Sequence, residues 1–116
     1  MYQFVIPIHH VNWSTRSVLE GISQKYKPKQ IYVVTSDHEI KIFKDKSNSW
    51  DIENLTLLDE DNFFLNKYGL TKKDIVSQIT QNKPNYSPGW LYQQIIKLGA
   101  SDVIEELDDV FIIWDA

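Results

Sequence analysis

Three stretches of this chain are apolar, or nearly so, without alternation. They are Phe4, Val5, Ile6, Pro7 and Ile8; Ile31, Tyr32, Val33, Val34 and Thr35; and Val110, Phe111, Ile112, Ile113 and Trp114. A strand with one wetted face alternates apolar and polar residues, whereas a strand covered on both faces does not. Strands of the second kind belong to parallel sheets enclosed between helices. The pattern predicts an α/β protein, a Rossmann-like three-layer sandwich whose mainly parallel sheet has three or four strands.

The segments between these runs fit that prediction. Asn12 or Ser14 can cap a helix that carries Val18, Leu19, Ile22 and Tyr26 on one stripe and closes at Pro28. Strand, helix and strand within about thirty residues make a βαβ unit, so the first two strands are expected to run parallel. Leu55, Thr56, Leu57 and Leu58 read as a further strand, and Asp59, Glu60 and Asp61 behind it as caps of the following helix. Ile40 and Ile42 alternate with polar neighbours, which predicts an additional half-exposed strand over residues 38–43 followed by a polar loop.

A short helix is expected over residues 62–67, ending at Gly69, and a second after Thr71, where Asp74 occupies the capping-box position and Leu70 and Ile75 have staple spacing. Residues 82–88 form a loop. Ser87 and Pro88 then open a helix that Gly99 is expected to close, with Leu91, Ile95 and Leu98 on the stripe facing the sheet. Trp90, Gln94 and Lys97 repeat those offsets on a second, polar stripe.

At 116 residues the chain is one domain, long enough to bury a real core. Its 42% hydrophobic and 24% charged residues are those of an ordinary globular protein. A net charge of −4 argues against a general nucleic-acid binder, which needs a basic surface to displace counterions from phosphates. The lack of cysteine excludes disulfides, thiolate metal sites and cysteine nucleophiles. The opening apolar run is too short for a signal core or a membrane span, so a cytoplasmic protein without a membrane span is expected.

If the strands are parallel, their polar ends emerge together: His9, His10 and Asn12 after the first, Ser36 and Asp37 after the second, Asp115 after the last. Ligands of open α/β sheets bind at that edge. A nucleotide pocket needs such convergence, and a carboxylate there suits Mg or Mn better than zinc. Each residue also has a plainer reading. The histidines can be loop residues whose side chains diverge, Trp90 can be core or pocket wall, Gln94 can be solvated helix surface, and Lys97 can answer the helix dipole.

The segment SPGWLYQQIIK at residues 87–97, followed by an acidic linker and the strand VFIIWDA, resembles a family of largely uncharacterised nucleotide-diphospho-sugar transferases related to GT-A glycosyltransferases. The opening FVIPIHHVNWSTRSVLEGI resembles the first strand and helix of GT-A enzymes, which place a donor-binding loop after that strand. The resemblance spans essentially the whole chain but only the amino-terminal half of such an enzyme. It implies that Asp115 is the first aspartate of a DxD metal motif, near the donor ribose and a Mn or Mg ion. The second aspartate would be residue 117, so the metal site is incomplete in this chain.

By the same resemblance, Ser36 and Asp37 contact the nucleoside and Trp90, Gln94 and Lys97 flank the donor pocket. Pro7, His9 and Asn12 belong to the donor loop. The function implied is the donor-binding portion of a glycosyltransferase that moves a sugar from a UDP- or GDP-sugar to an acceptor hydroxyl. The carboxyl-terminal half, which in that class supplies acceptor contacts, is missing, so a partial chain without turnover of its own is expected. The alternative is a non-catalytic nucleotide-binding or protein-interaction module.

Overall fold

The computed structural model describes residues 1–83 and 85–115. Residue 84, within the predicted loop, and Ala116 lie outside the described residues. Among the described residues the chain forms four strands and five helices. The strands are β1 (Gln3–Pro7), β2 (Gln30–Thr35), β3 (Leu55–Asp59) and β4 (Ile112–Ile113). The helices are α1 (Trp13–Tyr26), α2 (Asp37–Ser47), α3 (Leu65–Tyr68), α4 (Lys72–Asn82) and α5 (Pro88–Val103).

All the strands are parallel, in the order β3-β2-β1-β4. The α/β sandwich expected from the unalternated runs is the fold observed. Phe4, Ile6, Ile8, Ile31 and Val33 point to one face of the sheet and meet Leu19 and Ile22 of α1 and Phe43 of α2. Val5, Tyr32 and Val34 point to the other and meet Phe63, Phe64 and the Tyr92, Ile96 and Ala100 stripe of α5. Ile75 and Val76 of α4 pack on this second cluster. Burying one such side chain stabilises the fold by about 1.5–3 kcal/mol, so the two central strands dominate the stability.

Pro7 closes a central strand, where a missing N–H would ordinarily break a ladder. The register shows why it is tolerated. Ile8 N–H bonds Val34 on the β2 side, while Val5 accepts from Trp114 on the β4 side, so Pro7 faces β4 one step beyond the last bond. A buried Gln3 pins the acidic connection to the start of β1: its Nε2 donates to Glu106 O at 2.8 Å and its Oε1 accepts from Asp108 N at 2.6 Å.

Several local expectations are corrected. Residues 38–43 are helical within α2, because Ile40 and Phe43 fall on one buried helical face rather than alternating across a sheet. On α5 the stripe against the sheet is Tyr92, Ile96 and Ala100, and Leu98 is 84% exposed. The terminal apolar run is an edge strand of two residues with β1 as its neighbour, and Val110 is 70% exposed rather than buried. The acidic trio does not cap α3, whose N-cap is Phe64; Asp59 instead accepts from Asp61 N at 2.9 Å and Asn62 Nδ2 at 3.1 Å in a tight turn.

Gly99 does not end α5, which continues for another turn to Val103. Its role is steric. A Cβ at this position would stand 2.7 Å from Cε1 of Phe64, a buried ring packed edge-on against Phe63 and Tyr92. Gly99→Ala therefore gains up to about 1 kcal/mol of helix propensity and loses more to overpacking, which costs about 1–3 kcal/mol. Urea unfolding is expected to show a net loss of stability; an unchanged or raised midpoint would mean that the Phe64 ring yields.

Candidate functional site

Because every strand runs the same way, the ends of β1, β2, β3 and β4 share one edge of the sheet. The chain adds β2 and β3 on one side of β1 and then returns to place β4 on the other. That reversal is a topological switch point, and the crevice outside it is where open α/β sheets bind ligands. The loop after β1 enters α1 on one face, while α5 precedes β4 on the opposite face. The switch point therefore lies between residues 8–12, which follow β1, and Asp115, which follows β4.

Asp115 is tied to α5. Lys97 donates from Nζ to Asp115 Oδ1, with the lysine side chain 15% exposed and the carboxylate 82% exposed. A mostly buried stem ending at an exposed carboxylate fixes that carboxylate relative to the helix. Trp90 and Gln94 share the stripe of α5 that ends at Lys97, by offsets of four and three residues. Gln94 is half-buried, and Trp90 is 56% exposed in the first turn, which places its indole outside the core.

The residues after β1 are placed differently from one another. Pro7 is buried in the sheet. His9 and His10 are exposed, and their rings do not diverge: the chain bends after the strand and the centroids stand 4.1 Å apart. Asn12 is the N-cap of α1, accepting from Ser14 N at 2.9 Å, while its own N–H donates to Thr15 Oγ1 at 3.0 Å. Ser36 is the N-cap of α2, and Asp37 in the first turn pairs with Lys41 at 3.4 Å. All of these lie at the carboxyl edge, but Asn12 and Ser36 already serve as caps.

Two further carboxylates at this edge, Glu39 and Glu60, are buried, and neither is among the site residues expected from the sequence. Glu39 of α2 reaches the loop after β1, with Oε1 3.0 Å from His10 Nδ1 and Oε2 accepting from Val11 N at 3.0 Å. The His10 contact and the Val11 N–H together hold its carboxyl below the usual glutamate range, against the effect of burial. Ser36-Asp-His-Glu39 is a capping-box spacing that could have revealed both the helix and this glutamate.

Glu60, 4% exposed, follows β3 on the opposite face. Its N–H donates to Thr35 O at 2.8 Å, its carbonyl accepts from the Tyr92 hydroxyl, and its carboxylate lies 3.4 Å from Lys72 Nζ. Burial pushes the Glu60 carboxyl up, and the Lys72 charge opposes that shift. Burial, and then the Glu60 charge, raise the Tyr92 phenol as well. Lys72 also lies 5.6 Å from the centre of the Tyr92 ring.

Asp115 could supply a single oxygen to a divalent cation. Among the described residues no group of three or more histidine, aspartate or glutamate side chains is gathered to hold a metal. One protein carboxylate is nevertheless a fitting share for Mg or Mn, which keep waters and complete their octahedron with substrate phosphates. Among the described residues no helix is long and apolar enough to cross a membrane.

A parallel α/β sandwich with a polar switch point defines a broad class of ligand-binding folds. Within it, residues 16–116 match a family of unknown function, DUF6492, and the chain belongs to that family. No curated protein and no solved structure matches the chain.

The buried Glu60 yields a pH test. Its folded pKa lies above the unfolded value, so the folded state binds the proton more tightly and loses stability as pH rises through the glutamate range, about 4.3 and upward. Glu60→Gln removes that ionisation. Urea midpoints for Glu60→Gln are expected to gain on the wild type between pH 4 and pH 7; a difference independent of pH would refute the raised pKa.

Proposed function

We propose that the crevice between the β1–α1 loop and Asp115 binds the nucleotide diphosphate of a sugar donor, and that the chain is the donor-binding portion of a glycosyltransferase. The observation that carries this reading is Asp115, set at the switch point and held by Lys97 of the Gly-Trp, Gln-Gln helix. A carboxylate at the end of that strand, with a lysine beside it, supplies both signs of charge. The carboxylate faces a cation or ribose hydroxyls, and the ammonium faces diphosphate oxygens.

The exposed Trp90 indole offers an apolar face for a base or sugar, and Gln94 one turn later offers an amide with both donor and acceptor groups. Ser36 and Asp37 stand at the end of β2, where a nucleoside lying along the edge would reach them. Bound Mn or Mg would act as a Lewis acid that offsets the charge growing on the departing diphosphate as the sugar passes to an acceptor hydroxyl. The part of this chain's residues in that reaction is to bind and orient the donor.

Thermal unfolding with UDP- and GDP-sugars and Mn tests the reading. A ligand present at 100 times its Kd stabilises the protein by about 2.7 kcal/mol, which moves the midpoint by several degrees. The wild type is expected to shift with one of the two nucleotide classes, and Asp115→Ala and Lys97→Ala to lose most of that shift. No shift with either class, with Mn present, would overturn the donor-site reading.

A further inference from the structure

The loop joining β1 to α1 is fastened at two places. At its far end the Asn12 and Thr15 capping box locks it to α1. At its middle a single residue from another element, Glu39 of α2, engages it through both carboxylate oxygens, at His10 Nδ1 and at Val11 N, each at 3.0 Å. The Glu39 side chain is 9% exposed, while that of His10 is 68% exposed.

A buried carboxylate is unfavourable unless its lone pairs are satisfied. Glu39 occupies the third position of α2, from which a glutamate can turn back to the N-cap residue's N–H. Here the side chain turns outward to the loop instead. Its donors thus come from the loop, and moving the loop away would strand a nearly buried charge. Ile8, His9, His10 and Asn12, with the first two turns of α1, line a concavity of about 210 Å³. The loop held by Glu39 is the wall of that concavity.

We infer that Glu39 is a positioning residue for ligand binding: it holds the β1–α1 loop in the shape that presents His9, Asn12 and the loop backbone to the crevice. This rests on the donor-site reading of the crevice. The titratable groups acting on Glu39 are His10 from the loop and His38 from its own helix. Glu39 itself stands back from the ligand and acts through Val11 and His10.

The Val11 amide proton reports the contact directly, because it is bonded to the carboxylate. In NMR spectra of the full chain its shift is expected to titrate with Glu39, at a pH below the ordinary glutamate range, and to lose that titration in Glu39→Gln. Val11 hydrogen exchange should quicken at least tenfold in Glu39→Gln. UDP-glucose and GDP-mannose, titrated with Mg, should bind Glu39→Gln at least tenfold more weakly than wild type, with His10→Ala, which keeps the Val11 bond, losing less. His10 is exposed, so His10→Ala tests the loop even if Glu39→Gln folds poorly. A Val11 amide indifferent to pH, or equal affinity in wild type and Glu39→Gln, overturns the inference. If the wild type binds neither sugar nucleotide, the donor reading fails, and the Val11 titration alone upholds or rejects the fastening of the loop by Glu39.

Discussion

The rest of the molecule depends on β1 and β2 being apolar on both faces at once. Phe4, Ile6, Ile31 and Val33 on one side and Val5, Tyr32 and Val34 on the other are all 6% exposed or less. A sheet of that composition cannot leave either face to water, so helices must cover both. Each parallel connection then has to travel the length of the sheet and back, which a helix does economically. The order β3-β2-β1-β4 places the most apolar strands in the middle and the short β4 at an edge.

That same requirement creates the crevice. Parallel strands bring all their carboxyl ends to one edge, and the reversal of direction between β2 and β4 about β1 leaves a gap there that no crossover fills. The edge is polar because the strands end in His9, Ser36, Glu60 and Asp115 rather than in further apolar residues. Two of its carboxylates, Glu39 and Glu60, are nearly buried, and they are shifted in opposite directions because their partners differ. Glu39 has two donors that match its charge, whereas Glu60 has one lysine, partly exposed, against a larger desolvation.

What could be read from the chain follows the range of the forces concerned. The first two strands, the helix between them, the capping box of Thr71 and Asp74, and the Pro88 start of α5 are local, and the structure repeats them. The region 38–43 was misleading because Ile40 and Ile42 satisfy a period of two, while the residue that settles the period, Phe43, pairs with Ile40 only in a helix. The α5 stripe was misleading for a related reason. Leu91, Ile95 and Leu98 are more apolar than Tyr92 and Ala100, but Tyr92 can be buried because Glu60 O accepts its hydroxyl, and Ala100 because it fits close to the sheet side.

The sequence by itself determined the fold class, the parallel sense of the sheet and the edge at which polar groups gather, since these follow from side-chain composition and from spacings of a few residues. Only the tertiary structure decided that Gly99 makes room for Phe64 rather than ending a helix, that the last apolar run is a two-residue edge strand, and that Lys97 meets Asp115. It alone brought Glu39 to the β1–α1 loop, 28 and 29 residues earlier in the chain. These are contacts between distant segments, and their energies depend on which groups share a buried volume, a quantity that neither periodicity nor propensity contains.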